Sequence, residues 1–339
     1  MDGLGTVVRD PDKSLYSENE EVQLTANPDS GWEFFKWTGD VTSTSNPMTI
    51  IMNENKTITA SFIDTTINTD YLEDIDSGTT SPTGDYRWLD IANQNYSESY
   101  RTTYDYTQAT VEINYFTVDE SFSGTLIATN LKPNFAYQLK LVGTPGTPEN
   151  EQIGLVGRWW QEEWDGTEWT NGQNLNNKGT GSSPNPNDVN YSARKDIPDT
   201  TGTSPTGLQY RFTGYLVFDY FTTDGYGNAT ISFETGSCYH VLWKTTQRTH
   251  TSADGPIITT TFTANTSLPA YDVNYSEQNV NIFGEWERLP MNNVPLTAGS
   301  YSLQLMITEE SFHADGEGDY TGNWAAAMAA TISYIIQDS

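Results

Sequence analysis

The chain has 339 residues, which is enough for two or three domains that each bury a core of their own. Its 45 acidic residues outnumber its 16 basic ones, and the formal net charge of −29 excludes a polyanionic partner, so nucleic acid is not expected as a partner. An anionic membrane surface is disfavoured for the same reason, and the longest basic run is only Arg194–Lys195.

The first 64 residues show apolar side chains at alternate positions, which predicts short strands with one buried face. Their motifs are Val22-x-Leu24-Thr-Ala26 followed by Gly31-Trp32, then Phe34-x-x-Trp37-x-Gly39-Asp40, and Asn55-Lys-Thr-Ile-Thr-Ala-x-Phe62. In order and spacing these motifs resemble the divergent internalin B-repeat family of bacterial and archaeal surface proteins. The resemblance implies a small β-grasp-like module that acts as a spacer or an adhesive repeat, with no catalytic residue.

The remainder of the chain is predicted to be a large β-sandwich region. Residues 64–84 are polar and rich in turn residues, which favours a linker, and longer alternating strands follow from residue 85. We therefore expect an all-β chain with the repeat at 1–64, the first half of a sandwich at 65–145 and its second half at 146–339. The polar stretch 165–208 is too long for a hairpin and is expected to be a surface excursion.

Two segments resemble the tyrosine corner of fibronectin-type and immunoglobulin-like sandwiches, in which a tyrosine hydroxyl bonds to nearby backbone. The first runs from Leu131 to Tyr137, and the second from Leu296 to Tyr301, where Leu303, Leu305 and Ile307 alternate behind it. Two corners suggest either two sandwiches or one large sandwich of two related halves.

A segment near the C-terminus has the composition of a calcium-binding loop. Oxygen-bearing side chains recur there in a short span that also contains three glycines, and a tight loop could turn them toward one hard cation. A bound Ca²⁺ is therefore one hypothesis for this loop, and a solvated acidic hairpin is the alternative. The predicted ligands are Asp315, Glu317, Asp319 and Asn323.

The segment that begins at Gly157 contains four tryptophans in eleven consecutive residues. Exposed tryptophans stack on sugar rings, because a flat aromatic face complements the apolar face of a pyranose. Burial in a core or an interface is the commoner role of tryptophan. The predicted glycan-binding residues are Trp159, Trp160, Trp164 and Trp169.

Other reactive residues give weaker indications. Cys238 is the only cysteine, so the chain has no internal disulfide. The three histidines are expected to complete hydrogen-bond networks, and Glu309 and Glu310 alternate faces of a strand, which argues against a two-carboxylate cleft. Six Asn-x-Ser/Thr sequons permit glycosylation, at Asn55, Asn95, Asn190, Asn228, Asn265 and Asn274.

These patterns favour a non-catalytic, extracellular surface protein of a prokaryote. We expect a structural or adhesive subunit, with other copies of itself or other surface proteins as partners and no membrane span. Polysaccharide is a further candidate partner, and calcium is the one candidate cofactor. The final strand, near residues 329–338, must pair with an internal neighbour or with another chain. A carbohydrate-binding module that uses the tryptophans is the alternative, and a secreted glycan-acting hydrolase is the second alternative.

Overall fold

The structure is a computed structural model that describes residues 3–75, 85–92, 94–174, 186–235, 239–243, 257–262, 268–272, 278–286, 296–309 and 325–337. Antiparallel sheets dominate it, and the predicted all-β class with a sandwich is confirmed. None of the described helices is both long enough and apolar enough to cross a bilayer.

The N-terminal module has five strands and a core of its own. They are β1 Gly5–Asp10, β2 Glu20–Pro28, β3 Trp32–Gly39, β4 Met48–Met52 and β5 Ile58–Asp64. The order β1-β2-β4 forms one sheet, and β3 pairs with β5 in another. The alternation seen in the sequence turns Val22, Leu24 and Phe62 inward around Trp37, which is 1% exposed.

The passage after the module was predicted to be a linker, but it contains two strands of the sandwich. Strand β6 (Ile67–Tyr71) joins one sheet, and β7 (Glu73–Asp74) joins another. The prediction was wrong for residues 67–74 because their polar side chains lie on an exposed sheet face, while backbone pairing holds the strand in place.

Two sheets form the sandwich. The further strands are β8 Thr110–Phe116, β9 Val118–Asp119, β10 Ser123–Thr129, β11 Ala136–Val142, β12 Arg158–Trp164, β13 Trp169–Asn174, β14 Tyr210–Thr222, β15 Ala229–Glu234, β16 Tyr239–Trp243, β17 Ile257–Phe262, β18 Gln278–Trp286, β19 Gly299–Glu309 and β20 Ala325–Ile336. The four-stranded sheet has the order β15-β10-β8-β6, and the eight-stranded sheet has the order β13-β12-β14-β11-β19-β20-β7, with β9 beside β20. Strands β16, β18 and β17 form a separate sheet.

One apolar core joins the two large sheets. Ile113 and Leu126 enter it from the four-stranded sheet, and Leu139 and Leu305 enter it from the eight-stranded sheet. All four are fully buried, because period-two alternation turns every second residue of each strand inward.

The final strand pairs within the chain. β20 runs antiparallel to β19 along its whole length, and near its end Ile335 pairs in parallel with Val118 of β9. Of the two predicted alternatives for this strand, the structure shows the internal neighbour.

In the described parts of the chain, three short α-helices interrupt the strands: α1 Glu98–Thr103, α2 Pro148–Val156 and α3 Pro186–Arg194. The second follows a standard start signal, because the Thr147 hydroxyl accepts a hydrogen bond from Asn150 N and Pro148 occupies the first turn. The third lies inside the predicted surface excursion 165–208, as does strand β13, so that stretch is partly built into the sheet rather than wholly outside it.

Candidate functional site

Trp159 belongs to the core, not to an exposed surface. It is fully buried, and its ring stacks on Tyr191 of α3 with ring centres 3.7 Å apart. Its indole N–H donates to the Asp188 carboxylate over 3.3 Å. A side chain at Gly154 of α2 would come within 2.3 Å of the indole, so the close packing needs glycine there. Its burial does not fit the predicted role in sugar stacking.

The other three predicted tryptophans lie together on the opposite face of β12. Trp160 and Trp164 are four residues apart on that strand, and Trp169 of β13 pairs directly with Trp164. All three are half-buried. We call Trp160, Trp164 and Trp169 the tryptophan surface. β13 is an end strand of the eight-stranded sheet among the described residues, so this surface lies at a sheet edge.

Polar neighbours hold the rings of the tryptophan surface in place. The rings of Trp164 and Trp169 meet edge to face, with centres 5.2 Å apart. The Trp164 N–H donates to the Thr203 hydroxyl over 3.0 Å, and the Arg211 guanidinium lies 5.0 Å from the Trp169 ring centre. Arg211 is itself fixed by a 2.6 Å ion pair with Glu162. The surface is therefore preorganised, and the charge of Arg211 is balanced by that of Glu162.

The loop that carries Thr203 is rigid because one carboxylate organises it. Asp199 accepts hydrogen bonds from the backbone N–H groups of Thr201, Thr203 and Ser204, at 2.8 to 2.9 Å. Desolvation raises the pKa of Asp199, but hydrogen bonds from Ser204, Thr201 and Thr203 outweigh it and lower the pKa to about 2. The carboxylate therefore keeps its charge, and the loop its shape, across the physiological range.

A buried cluster of charges lies at the far end of the core. Glu309 ends β19 and is fully buried. Its carboxylate accepts hydrogen bonds from Nε of Arg87 over 2.7 Å and from Nζ of Lys132 over 2.6 Å. The Tyr106 hydroxyl donates to the same carboxylate over 2.6 Å. Desolvation raises the pKa of Glu309, while the charges and hydrogen bonds of Lys132 and Arg87 lower it to about 2.

This cluster is joined to the first tyrosine corner. Lys132 N donates to the Tyr137 hydroxyl over 3.1 Å, which confirms the predicted corner. The hydroxyls of Tyr137 and Tyr106 are 3.1 Å apart, and since Tyr106 donates to Glu309, Tyr137 is the donor between them. Nζ of Lys132 also lies 4.5 Å from the Trp88 ring centre. We call Arg87, Tyr106, Lys132, Tyr137 and Glu309 the buried network.

The second tyrosine corner is also present. The Tyr301 hydroxyl donates to the carbonyl of Thr297 over 2.7 Å. Tyr137 and Tyr301 lie on the neighbouring strands β11 and β19, so both corners belong to one sheet. This arrangement matches the alternative of one large sandwich, and strands from both sides of residue 145 share the sheet.

The buried network is suited to holding the fold together. Its carboxylate is 0% exposed and Lys132 is 1% exposed, so no substrate reaches them from solvent. Burial and the neighbouring charge of Glu309 raise the pKa of Tyr106, so its hydroxyl keeps the proton that it donates. In the sequence Glu309 stands out only as one of two adjacent carboxylates, although extending the alternation Leu303, Leu305, Ile307 by one step places it inward.

The remaining predicted sites divide between described and undescribed residues. The predicted calcium ligands Asp315, Glu317, Asp319 and Asn323 lie outside the described residues, as do Asn265 and Asn274. Within the described ranges no three His, Cys, Asp or Glu side chains are grouped so that they could hold a metal ion.

Four predicted glycosylation sites fall on described residues. Asn55 and Asn95 are exposed, and Asn190 is half-buried on α3. Asn228 is exposed, but its amide nitrogen donates to the Asp224 carboxylate over 3.4 Å. By exposure alone, Asn55, Asn95 and Asn228 are more accessible than Asn190.

Comparison with known proteins identifies the N-terminal module. Residues 2–66 match the family model of the divergent InlB B-repeat domain. The resemblance predicted for residues 1–64 is thus confirmed, and the InlB-type repeat indicates a bacterial surface protein. No curated protein and no solved structure matches the chain.

Proposed function

We propose that this chain is a non-catalytic adhesive protein of the bacterial surface, which attaches to polysaccharide through the tryptophan surface. The observation that carries the proposal is the placement of Trp160, Trp164 and Trp169 on one face at a sheet edge. Aromatic rings presented in this way offer a large apolar contact area for the face of a sugar ring.

Preorganisation supports the same proposal. The Thr203 hydrogen bond and the Arg211–Glu162 ion pair fix the rings before a ligand arrives, so little side-chain freedom is lost on binding. Because Arg211 is neutralised by Glu162, the surface favours neutral glycans over acidic ones. The InlB-type repeat then acts as a spacer that carries the sandwich outward from the cell.

Attachment has more support than self-assembly through the final strand. The prediction of strand exchange rested on β20 needing a partner, and β19 and β9 supply that partner within the chain. Assembly with other copies stays a proposal that requires another surface.

The test is retention of the full chain on insoluble neutral polysaccharides such as cellulose, chitin and β-1,3-glucan. Replacing Trp160, Trp164 and Trp169 together with Ala should remove most of the retention. The matched control is Tyr226→Ala, since Tyr226 is an aromatic residue that is 57% exposed on a different part of the sandwich. Retention of the triple variant equal to that of the unmodified chain would refute the proposal.

A further inference from the structure

The outer face of the four-stranded sheet contains an open groove of about 480 Å³ that is separate from the tryptophan surface. Its floor is formed by β8 and β10, with β6 and β15 on either side. This volume lies within the range of small-ligand sites in proteins. The residues that line the groove include Ile67, Asn114, Phe116, Thr125, Ser232 and Glu234.

Strand register arranges the polar residues of the groove in a row. Asn114 of β8 pairs with Thr125 of β10, which pairs with Ser232 of β15. Because neighbouring strands lie about 4.8 Å apart, the row crosses about 10 Å of the sheet. All three side chains point outward, since the alternate residues Ile113 and Leu126 are buried in the core.

A second row adds apolar area and one carboxylate. Ile67 pairs with Phe116 at one side of the groove, and Glu234 lies at the other side, opposite Ser123. Ile67 is 55% exposed, and Phe116 is half-buried. The groove therefore combines an aromatic ring and an aliphatic side chain with hydroxyl, amide and carboxylate groups.

The polar row is held in position before any ligand binds. The Asn114 amide oxygen accepts a hydrogen bond from the Thr69 hydroxyl over 2.6 Å, and its nitrogen donates to Glu112 over 2.7 Å. The Tyr71 hydroxyl donates to the other oxygen of Glu112 over 3.0 Å. An amide has two donor hydrogens and two acceptor lone pairs, so Asn114 keeps one of each for a ligand.

The chemistry of the lining selects the class of ligand. None of the ten described residues that line the groove is Lys or Arg, and Glu234 contributes a negative charge, so phosphates, sulfates and uronates are disfavoured. The hydroxyls of Thr125 and Ser232 both donate and accept hydrogen bonds, as sugar hydroxyls do. The Phe116 ring complements the apolar face of a pyranose.

From these observations we infer that the groove on the outer face of the four-stranded sheet binds a neutral oligosaccharide, with Phe116 stacking on a sugar ring and Asn114, Thr125, Ser232 and Glu234 bonding its hydroxyls. This site is independent of the tryptophan surface proposed above. A chain with both sites holds a polysaccharide at two places, and weak sites that act together retain a polymer more strongly than either does alone.

The test uses the full chain in which Trp160, Trp164 and Trp169 are already replaced by Ala, so that only the groove is measured. Saturation-transfer NMR with cellopentaose, laminaripentaose and mannopentaose reports weak binding of each neutral sugar. At least one of them should bind, and pentagalacturonate, an anionic sugar of the same length, should not. Absence of binding by all three neutral sugars, or stronger binding of pentagalacturonate, would overturn the inference.

Variants of the groove locate the binding. Ser232→Trp fills the groove from an exposed position, and Thr125→Val removes a hydroxyl while keeping a β-branched shape. We expect Ser232→Trp to abolish binding and Thr125→Val to weaken it roughly fivefold, the usual effect of losing one hydrogen bond. The control is Thr230→Val, which lies on the same strand and face as Ser232 but outside the groove.

The outcomes separate this site from the proposed function. Circular dichroism first verifies that each variant is folded. If Ser232→Trp and Thr125→Val bind the sugars as well as the control, the groove is not the site and the inference fails, while retention through the tryptophan surface is judged by its own experiment.

Discussion

The eight-stranded sheet uses aromatic and charged residues in two opposite ways. In the buried network, Glu309 and Lys132 are sealed from water, Arg87 is 8% exposed, and the hydrogen bonds among them hold the fold together. At the tryptophan surface, an ion pair and a hydrogen bond hold half-buried rings that remain open to solvent. The same residue types therefore stabilise the fold at one place and form the proposed binding surface at the other, and the two places differ in their access to solvent.

The largest effect should come from breaking the buried network. Glu309→Ala leaves Arg87 and Lys132 as buried cations without this carboxylate, so it should lower the free energy of unfolding by about 3–5 kcal/mol. Chemical denaturation measures the change. Glu33→Gln, an exposed position on β3, is the control and should have almost no effect. A loss below about 1 kcal/mol for Glu309→Ala would contradict the stabilising role.

Removing one hydroxyl from the tyrosine corner should have a smaller effect. Tyr137→Phe deprives Lys132 N of its acceptor and Tyr106 of its donor, and both groups are buried. We expect a loss of about 1–3 kcal/mol in the free energy of unfolding. Tyr301→Phe removes the hydroxyl of the second, less buried corner and should cost less; equal losses would show that the link to Glu309 adds nothing.

Acid should weaken the sandwich through the carboxylate of Glu309. Its pKa is about 2 in the folded protein against an ordinary value of 4.5, so its contribution is complete above pH 4.5 and disappears as the pH falls toward 2. Melting temperatures measured from pH 7 to pH 2 should fall more steeply for the unmodified chain than for Glu309→Gln, whose amide has no charge to lose. Parallel curves would mean that Glu309 does not titrate as described.

Changes at the tryptophan surface should affect stability less than changes in the buried network. Trp164→Ala removes one edge-to-face ring pair and one exposed hydrogen bond. We therefore expect the free energy of unfolding, measured by denaturation, to fall by about 1–2 kcal/mol, together with a clear loss of polysaccharide retention. Trp159→Ala is the informative contrast on the same strand. Because the Trp159 ring is buried, this substitution should lower the free energy of unfolding by about 3–5 kcal/mol. The reverse order of the two losses would contradict the assignment of faces.

Calcium should give the smallest shift. If Asp315, Glu317, Asp319 and Asn323 bind Ca²⁺ as the sequence predicts, 1 mM CaCl₂ should raise the melting temperature by a few degrees, because a ligand of the folded state stabilises it. The variant with all four positions changed to Ala should show no shift. An equal rise with MgCl₂ would indicate screening of the acidic surface rather than a specific site.

Local patterns in the sequence predicted much of this fold. The alternation around Val22 and Leu24 predicted the strands of the module, and Leu131 to Tyr137 predicted a corner that the structure contains. The polar strand β6 was missed because its partner, β8, lies about 40 residues away, and pairing at that distance leaves no local mark. The helix α2 did have a local mark in Thr147-Pro148, which the expectation of an all-β chain obscured.

The sites were harder to predict than the fold. Four clustered tryptophans indicated a site, but Trp159 points to the opposite face of the strand from the other three. Which of the two faces is covered depends on where the strand lies in the fold. The buried network joins residues 87, 132 and 309, so its members are brought together only by the tertiary fold. The groove likewise needs the register of four strands, which no single segment specifies.

The contrast between the two regions is tested most directly by measuring retention on polysaccharide and the free energy of unfolding for two variants of the full chain. We predict that the triple tryptophan variant loses most of its retention while it is still folded, because each half-buried ring contributes only about 1–2 kcal/mol to the free energy of unfolding. Glu309→Gln should unfold more easily but be retained fully under conditions in which it is folded. If the triple variant were retained as strongly as the unmodified chain, or if Glu309→Gln lost retention while folded, binding and stability would not be divided between these regions.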